Sequence, residues 1–299
     1  MILAFLLQLI KKRRMEMKEY KDIIGAFWRK GMEEKVRGNL IIIGGAEDKK
    51  GNKTILKHVV DIVGKQGSLV ILTTATEKPG EVGNNYRMVF ESLGINNIQV
   101  LNIDTRDEAN DESNADIIRN CNGVFFTGGD QLRITSIIGG TRANDALKEV
   151  YSKGVVIAGT SAGASVMSNT MIVEGESNEP ARKCTLKMAP GLGLLEEAII
   201  DQHFDQRGRM GRLLCAVAEN PYMLGIGIDE DTAIKVYPDA YFEVIGSNAV
   251  TVVDGKTIKS TNVSELKPDE LLAITNVTIH VLPQGYGFDM VSREVFRIN

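Results

Sequence analysis

The chain has 299 residues, 43% hydrophobic and 25% charged, which is ordinary for a globular protein and excludes disordered, collagen-like and disulfide-stapled classes. With 35 Lys and Arg against 39 Asp and Glu, the formal charge is −4, so no global attraction to nucleic acid or an anionic membrane exists. Cys121, Cys184 and Cys215 lie too far apart for a zinc cluster or disulfide framework, and a reducing, cytoplasmic setting is expected.

Residues 1–37 read as an amphipathic N-terminal extension. Their apolar start, MILAFLLQLI, falls short of the roughly 20 residues that a spanning helix needs, so no integral membrane segment is expected. The basic run Lys11–Arg14 follows the apolar stretch instead of preceding it, unlike a secretory signal. The functional reading of this segment is a membrane-surface anchor. Residues 38–299 form the second unit, a single enzyme-sized domain.

From Asn39 a regular alternation begins. Leu40–Ile43 is an apolar strand entering the turn Gly44-Gly45, and 52–65 carries Ile55, Leu56, Val59, Val60 and Val63 at helical spacing. Strands at 68–74, 98–103 and 123–127 then alternate with helical segments near 81–93 and 115–121. A helix at 141–153, a strand at 155–159, a small-residue helix from Ala162, a strand at 198–201 and a helix after Arg207 follow. Strands apolar on both faces and separated by helices predict an α/β fold, with a mostly parallel central sheet covered on both sides. From Leu224 the texture changes to strand-like segments at 225–236, 241–254 and 272–297 joined by turns, which predicts antiparallel strands at the C-terminal end.

Gly159-Thr160-Ser161-Ala162-Gly163 matches the G-x-S-x-G nucleophile elbow, with an apolar strand before it and a helix after it. A serine needs a neighbouring base to become a nucleophile. There are three histidines, and His58 falls within a helix and His280 within a C-terminal strand, whereas His203 ends an apolar strand in the polar run Asp201-Gln202-His203. Ends of strands are where open α/β sheets build their sites, so His203 is the candidate base. A carboxylate must orient the imidazole, and Asp205 and Glu230 both qualify from sequence. Phe126-Thr127-Gly128-Gly129-Asp130 is a strand entering a glycine turn, suited to an oxyanion hole built with the Ala162 N–H; a phosphate cradle competes, but the Walker lysine pattern is missing. Arg207, Arg209 and Arg212 cluster after the base in an otherwise acidic chain, which favours an anionic substrate.

The segments 42–49, 126–131, 159–164, 201–204, 207–209 and 225–233 together resemble the successive motifs of the cyanophycinases, in order from about Asn39 to Gly255. That resemblance implies a fold similar to the class I glutamine amidotransferases. It implies a serine-type exopeptidase that hydrolyses cyanophycin, a poly-aspartate with arginine on each β-carboxyl, to β-Asp-Arg dipeptides. Ser161 would be the nucleophile, His203 the base and Glu230, in preference to Asp205, the orienting acid. Gly129 and Ala162 would form the oxyanion hole, and Gln131, Asp201, Gln202, Arg207, Arg209 and Arg212 would bind the substrate. No metal and no organic cofactor are implied, and a homodimer is. The alternatives are an aspartyl dipeptidase and a catalytically silent, amidotransferase-like ligand-binding protein.

Overall fold

The computed structural model describes residues 38–182, 186–196 and 198–298, and the extension 1–37 and Cys184 lie outside them. The first half is a βα series. Its strands are β1 (Leu40–Ile43), β2 (Ser68–Leu72), β3 (Asn97–Leu101), β4 (Gly123–Phe126) and β5 (Val156–Thr160). The helices between and after them are α1 (Thr54–Val63), α2 (Pro79–Ser92), α3 (Arg106–Ala109), α4 (Glu112–Arg119), α5 (Gln131–Ile138), α6 (Arg142–Ser152) and α7 (Ala162–Ser165). Helix starts follow local chemistry. Pro79 opens α2, where its missing N–H costs nothing, and the Asp130 side chain caps α5 by accepting from Leu132 N–H at 2.7 Å.

After α7 come the strands β6 (Thr170–Gly175), β7 (Leu186–Pro190) and β8 (Ala198–Gln202), then helix α8 (Met210–Glu219). The C-terminal strands are β9 (Leu224–Ile228), β10 (Thr232–Val236), β11 (Tyr241–Gly246), β12 (Ala249–Asp254), β13 (Ser260–Thr261), β14 (Ile274–Thr275), β15 (Thr278–Pro283), β16 (Tyr286–Asp289) and β17 (Glu294–Arg297). Among the described residues a nine-stranded sheet runs β17-β16-β11-β10-β1-β5-β4-β2-β3. Its β3, β2, β4, β5 and β1 are parallel, and β10, β11, β16 and β17 continue it antiparallel, as expected from the change of texture.

One arrangement differs from the sequence expectation. The strand at 198–202 does not join the parallel sheet but starts a second, four-stranded sheet, β15-β12-β9-β8, in which β8 and β9 are parallel. The β6–β7 hairpin and the short α3 were also not anticipated. A strand apolar on both faces carries no information about which buried sheet it enters.

Alternation across β1 explains the layering. Ile41 and Ile43 pack with α1 and α2 on one face, while Leu40 and Ile42 belong to the core that also holds Ile200, Ile226, Val250 and Val252 of the second sheet. Fully burying each such side chain contributes about 1.5–3 kcal/mol. The outer face of the second sheet is covered by α8, where Ile199 and Val253 meet Leu213, Ala216 and Val217. The second sheet is thereby held against the first, with the ends of β8 and β9 beside the end of β5.

Candidate active site

Ser161 lies between β5 and α7 with φ 53° and ψ −112°, a conformation that L-residues rarely adopt. Its N–H donates to the Ile43 carbonyl at 3.0 Å, which pins the turn to the neighbouring strand. Gly163 permits the tight crossing, since a Cβ there would lie 2.6 Å from the Phe126 Cβ. The result is a backbone held in a costly geometry of about 1–3 kcal/mol with its hydroxyl turned out of the sheet.

His203 follows β8, and its imidazole bridges two partners. Nε2 is 3.0 Å from Ser161 Oγ, and Nδ1 is 2.6 Å from Glu230 Oε1. Glu230 follows β9, and its N–H is held by Gln206 Oε1 at 2.9 Å. Register explains the meeting: Gln202 pairs with Ile228, so the residues just beyond these two parallel strands emerge side by side. Asp205, the other acid open at the sequence level, is exposed, and its N–H donates to Asp229 Oδ1 at 3.0 Å. His203 is 8% exposed, and burial lowers its pKa from the ordinary 6.5, against the raising effect of the Glu230 hydrogen bond and with a further lowering by Arg207.

The glycine turn after β4 stands against the serine. A methyl at Gly128 would lie 3.9 Å from Ser161 Oγ, and Gly129 next to it has φ 148°. Ala162 is the first residue of α7, where an N–H has no intrahelical acceptor, and neither its N–H nor that of Gly129 has a backbone partner among the described residues.

The remaining polar residues divide by surroundings. Gln202 is buried, and its Oε1 lies 3.4 Å from Ser161 Oγ. Gln131 Nε2 donates to the Val173 and Ile172 carbonyls at 2.8 and 3.2 Å. Asp201 is 1% exposed and is gripped by Arg212, whose Nε is 2.7 Å from Oδ2 and whose Nη2 reaches Oδ1; Arg212 Nη1 also donates to the Gly175 carbonyl at 3.2 Å. Arg209 Nη1 donates to the Gln202 carbonyl at 2.5 Å, and its buried Nε has no partner among the described residues. Burial brings the Arg209 guanidinium down to about 10, still cationic at neutral pH. Arg207 is exposed on the short helical turn Asp205–Arg207.

His58 sits in α1 and His280 in β15, away from this cluster. Cys121 and Cys215 are free, buried thiols. Among the described residues no group of three or more His, Cys, Asp or Glu could hold a metal, and no helix is long and apolar enough to cross a membrane. Sequence reasoning gave no role to Glu47, although it lies in one of the matching segments. The signal available was an acid placed just after a glycine pair at the end of a buried strand.

A serine at a strand-to-helix turn, hydrogen-bonded to a histidine that is in turn held by a carboxylate, is the arrangement of the serine hydrolases. The profile of peptidase family S51 matches residues 40–244. The cyanophycinase of Geminocystis herdmanii is 38% identical over 256 residues, spanning 85% of this chain and 94% of that protein. The cyanophycinase of Trichormus variabilis is 38% identical over 258 residues, with 86% and 87% covered. The crystal structure of a peptidase from an acI-B1 Actinobacterium has the same fold, with a TM-score of 0.60 at 20% identity over 87% of this chain and 96% of that one. The chain belongs to peptidase family S51.

Proposed function

We propose that this peptidase is a serine exopeptidase that cleaves cyanophycin to β-Asp-Arg dipeptides. The observation that carries the reading is the continuous chain from Glu230 to His203 at 2.6 Å and from His203 to Ser161 at 3.0 Å, at a strained serine turn. The likeness to cyanophycinases over most of both chains supports the choice of substrate.

In this mechanism Ser161 Oγ attacks the backbone carbonyl of the polymer while His203 Nε2 takes its proton. Glu230 accepts from Nδ1–H, which fixes the tautomer and stabilises the imidazolium as it forms. The depressed pKa of His203 keeps the resting ring neutral and able to act as a base at neutral pH. Gly129 and Ala162 N–H groups receive the developing oxyanion. His203 then returns a proton to the leaving amine, and water hydrolyses the acyl-enzyme by the same relay. Gln131, Asp201, Gln202, Arg207, Arg209 and Arg212 form the substrate side, with exposed Arg207 free to meet a carboxylate and the Asp201–Arg212 pair shaping the pocket wall. The enzyme acts in the cytoplasm as a homodimer, and residues 38–299 form its catalytic domain.

The test is incubation of the purified chain with insoluble cyanophycin, with mass spectrometry of the soluble products. Release of β-Asp-Arg that vanishes in Ser161→Ala is expected. Intact polymer alongside cleavage of α-aspartyl dipeptides would make it an aspartyl dipeptidase, and no turnover with no serine labelling would make it a silent binding protein.

A further inference from the structure

The loop joining β1 to α1 carries a buried acid that the steps above do not use. Glu47 is 4% exposed, and both carboxylate oxygens are engaged. Oε1 accepts from the Tyr86 hydroxyl at 2.5 Å and pairs with Lys49 Nζ at 3.1 Å, and Oε2 accepts from the Thr160 hydroxyl at 2.6 Å. Thr160 immediately precedes Ser161. Burial and the neighbouring Glu47 push the Tyr86 phenol well above its ordinary range, so Tyr86 stays a donor to the acid at any working pH.

The last residue of β1 and the loop after it touch the backbone beside every member of the Ser–His–Glu chain. Ser161 N–H donates to the Ile43 carbonyl at 3.0 Å, His203 N–H to the Gly44 carbonyl at 2.7 Å, and the N–H of Asp231, next to Glu230, to the Gly45 carbonyl at 2.9 Å. Gly45 also faces the imidazole, where a Cβ would lie 2.4 Å from Nε2. Residues 43–47 are therefore bonded to both sheets at the point where their contributions must meet.

We infer that Glu47 is a positioning residue for hydrolysis: by holding Thr160 to this loop it sets the distance from Ser161 Oγ to His203 Nε2. The inference rests on Ser161 being the nucleophile. The strained turn needs surroundings that over-determine it, and hydrogen bonds to a buried carboxylate are stronger than neutral ones. With both oxygens occupied inside the protein, Glu47 neither contacts substrate nor exchanges a proton with it. Its effect passes through the alignment of the attacking atom, where a displacement of about 1 Å costs about 10²-fold in rate.

Glu47→Ala and Glu47→Gln, made in the full chain, are compared with wild type in three measurements: the thermal midpoint, kcat and KM on the polymer, and the rate of fluorophosphonate labelling at Ser161. The expected result is a fall in kcat of about 10²-fold for the alanine variant, with KM little changed and labelling slowed in parallel. The glutamine variant, which keeps one acceptor oxygen, should fall between it and wild type. A folded Glu47→Ala with wild-type labelling and kcat overturns the inference. So does a loss confined to the fraction of labelled protein with an unchanged rate per labelled site, because that is a stability effect alone. If the alanine variant does not fold, Thr160→Val removes the single hydroxyl–carboxylate bond and is read in the same way. Wild type that fails to label at Ser161, or a fully active Ser161→Ala, overturns the nucleophile reading and this inference with it; normal wild-type labelling with no effect of Glu47 overturns this inference alone.

Discussion

The central sheet and the second sheet bring their functional groups to the same place by different means. Ser161 leaves β5, a strand buried on both faces, and its orientation is set locally by its own backbone angles. His203 and Glu230 leave the adjacent ends of β8 and β9, and their meeting is set by parallel register. The His203–Glu230 contact is thus internal to one sheet, while the Ser161–His203 contact crosses between two. Contacts inside one hydrogen-bonded ladder tolerate small shifts of the whole sheet. A contact across two packed layers does not, which is why the 43–47 loop that touches both is the sensitive joint.

Removing either side of the crossing contact is the most severe way to probe this. Ser161→Ala and His203→Ala should each lower kcat/KM by about 10⁴-fold or more, measured on the polymer, with the fold retained by circular dichroism. Within the second sheet, Glu230→Gln should cost about 10²–10⁴-fold in kcat, while Asp205→Asn stays near wild type. The reverse ranking would assign the orienting acid to Asp205. Gly45→Ala tests the joint directly. Its Cβ would fall 2.4 Å from His203 Nε2, at a φ of 103°, so the ring must move, and kcat should drop about 10²-fold. Wild-type turnover in that variant would show that the crossing contact tolerates displacement.

A sixth variant probes the buried ion pairs behind the site. Arg212→Met leaves the carboxylate of Asp201, which is 1% exposed, with only the longer 3.4 Å contact to Arg209, and should destabilise the protein by about 3 kcal/mol in denaturant unfolding. The smallest effect concerns pH. The neutral imidazole is the base, and its folded-state pKa is lowered from the ordinary 6.5, so kcat/KM should complete its rise with pH on the acid side and be level above pH 7. Arg207 lowers the His203 pKa, so Arg207→Gln should move the acidic limb of the profile slightly upward. A downward shift would contradict the placement of that guanidinium.

Much of the fold was legible because its signal is local. The helical spacing from Ile55 to Val63 and the unbroken apolar runs at 40–43 and 123–126 each reflect burial that any single segment must satisfy. The candidate serine and histidine were legible for the same reason, each being a polar residue at the end of an apolar strand. The chemistry of the residues alone did not choose between Asp205 and Glu230, because residues 2 and 27 positions from His203 can be equally near once the chain folds; only the resemblance to the cyanophycinases pointed to Glu230. The partnership of Asp201 with Arg212 and Arg209 was hidden likewise, so two arginines of a cluster that reads as substrate-facing also pair with an internal acid.

Sequence by itself determined the βα alternation, the glycine-flanked serine turn and the shift to antiparallel strands near the C-terminus. These depend on periodicity and backbone sterics, which act between residues close along the chain. Only the tertiary structure decided that 198–202 pairs with 224–228 outside the central sheet and that Glu47 is buried against Thr160 and Tyr86, and it gave the physical reason why Glu230 rather than Asp205 reaches the imidazole. Those outcomes depend on which apolar faces pack together, and hydrophobic attraction is non-directional, so the pattern of one strand does not name its partner.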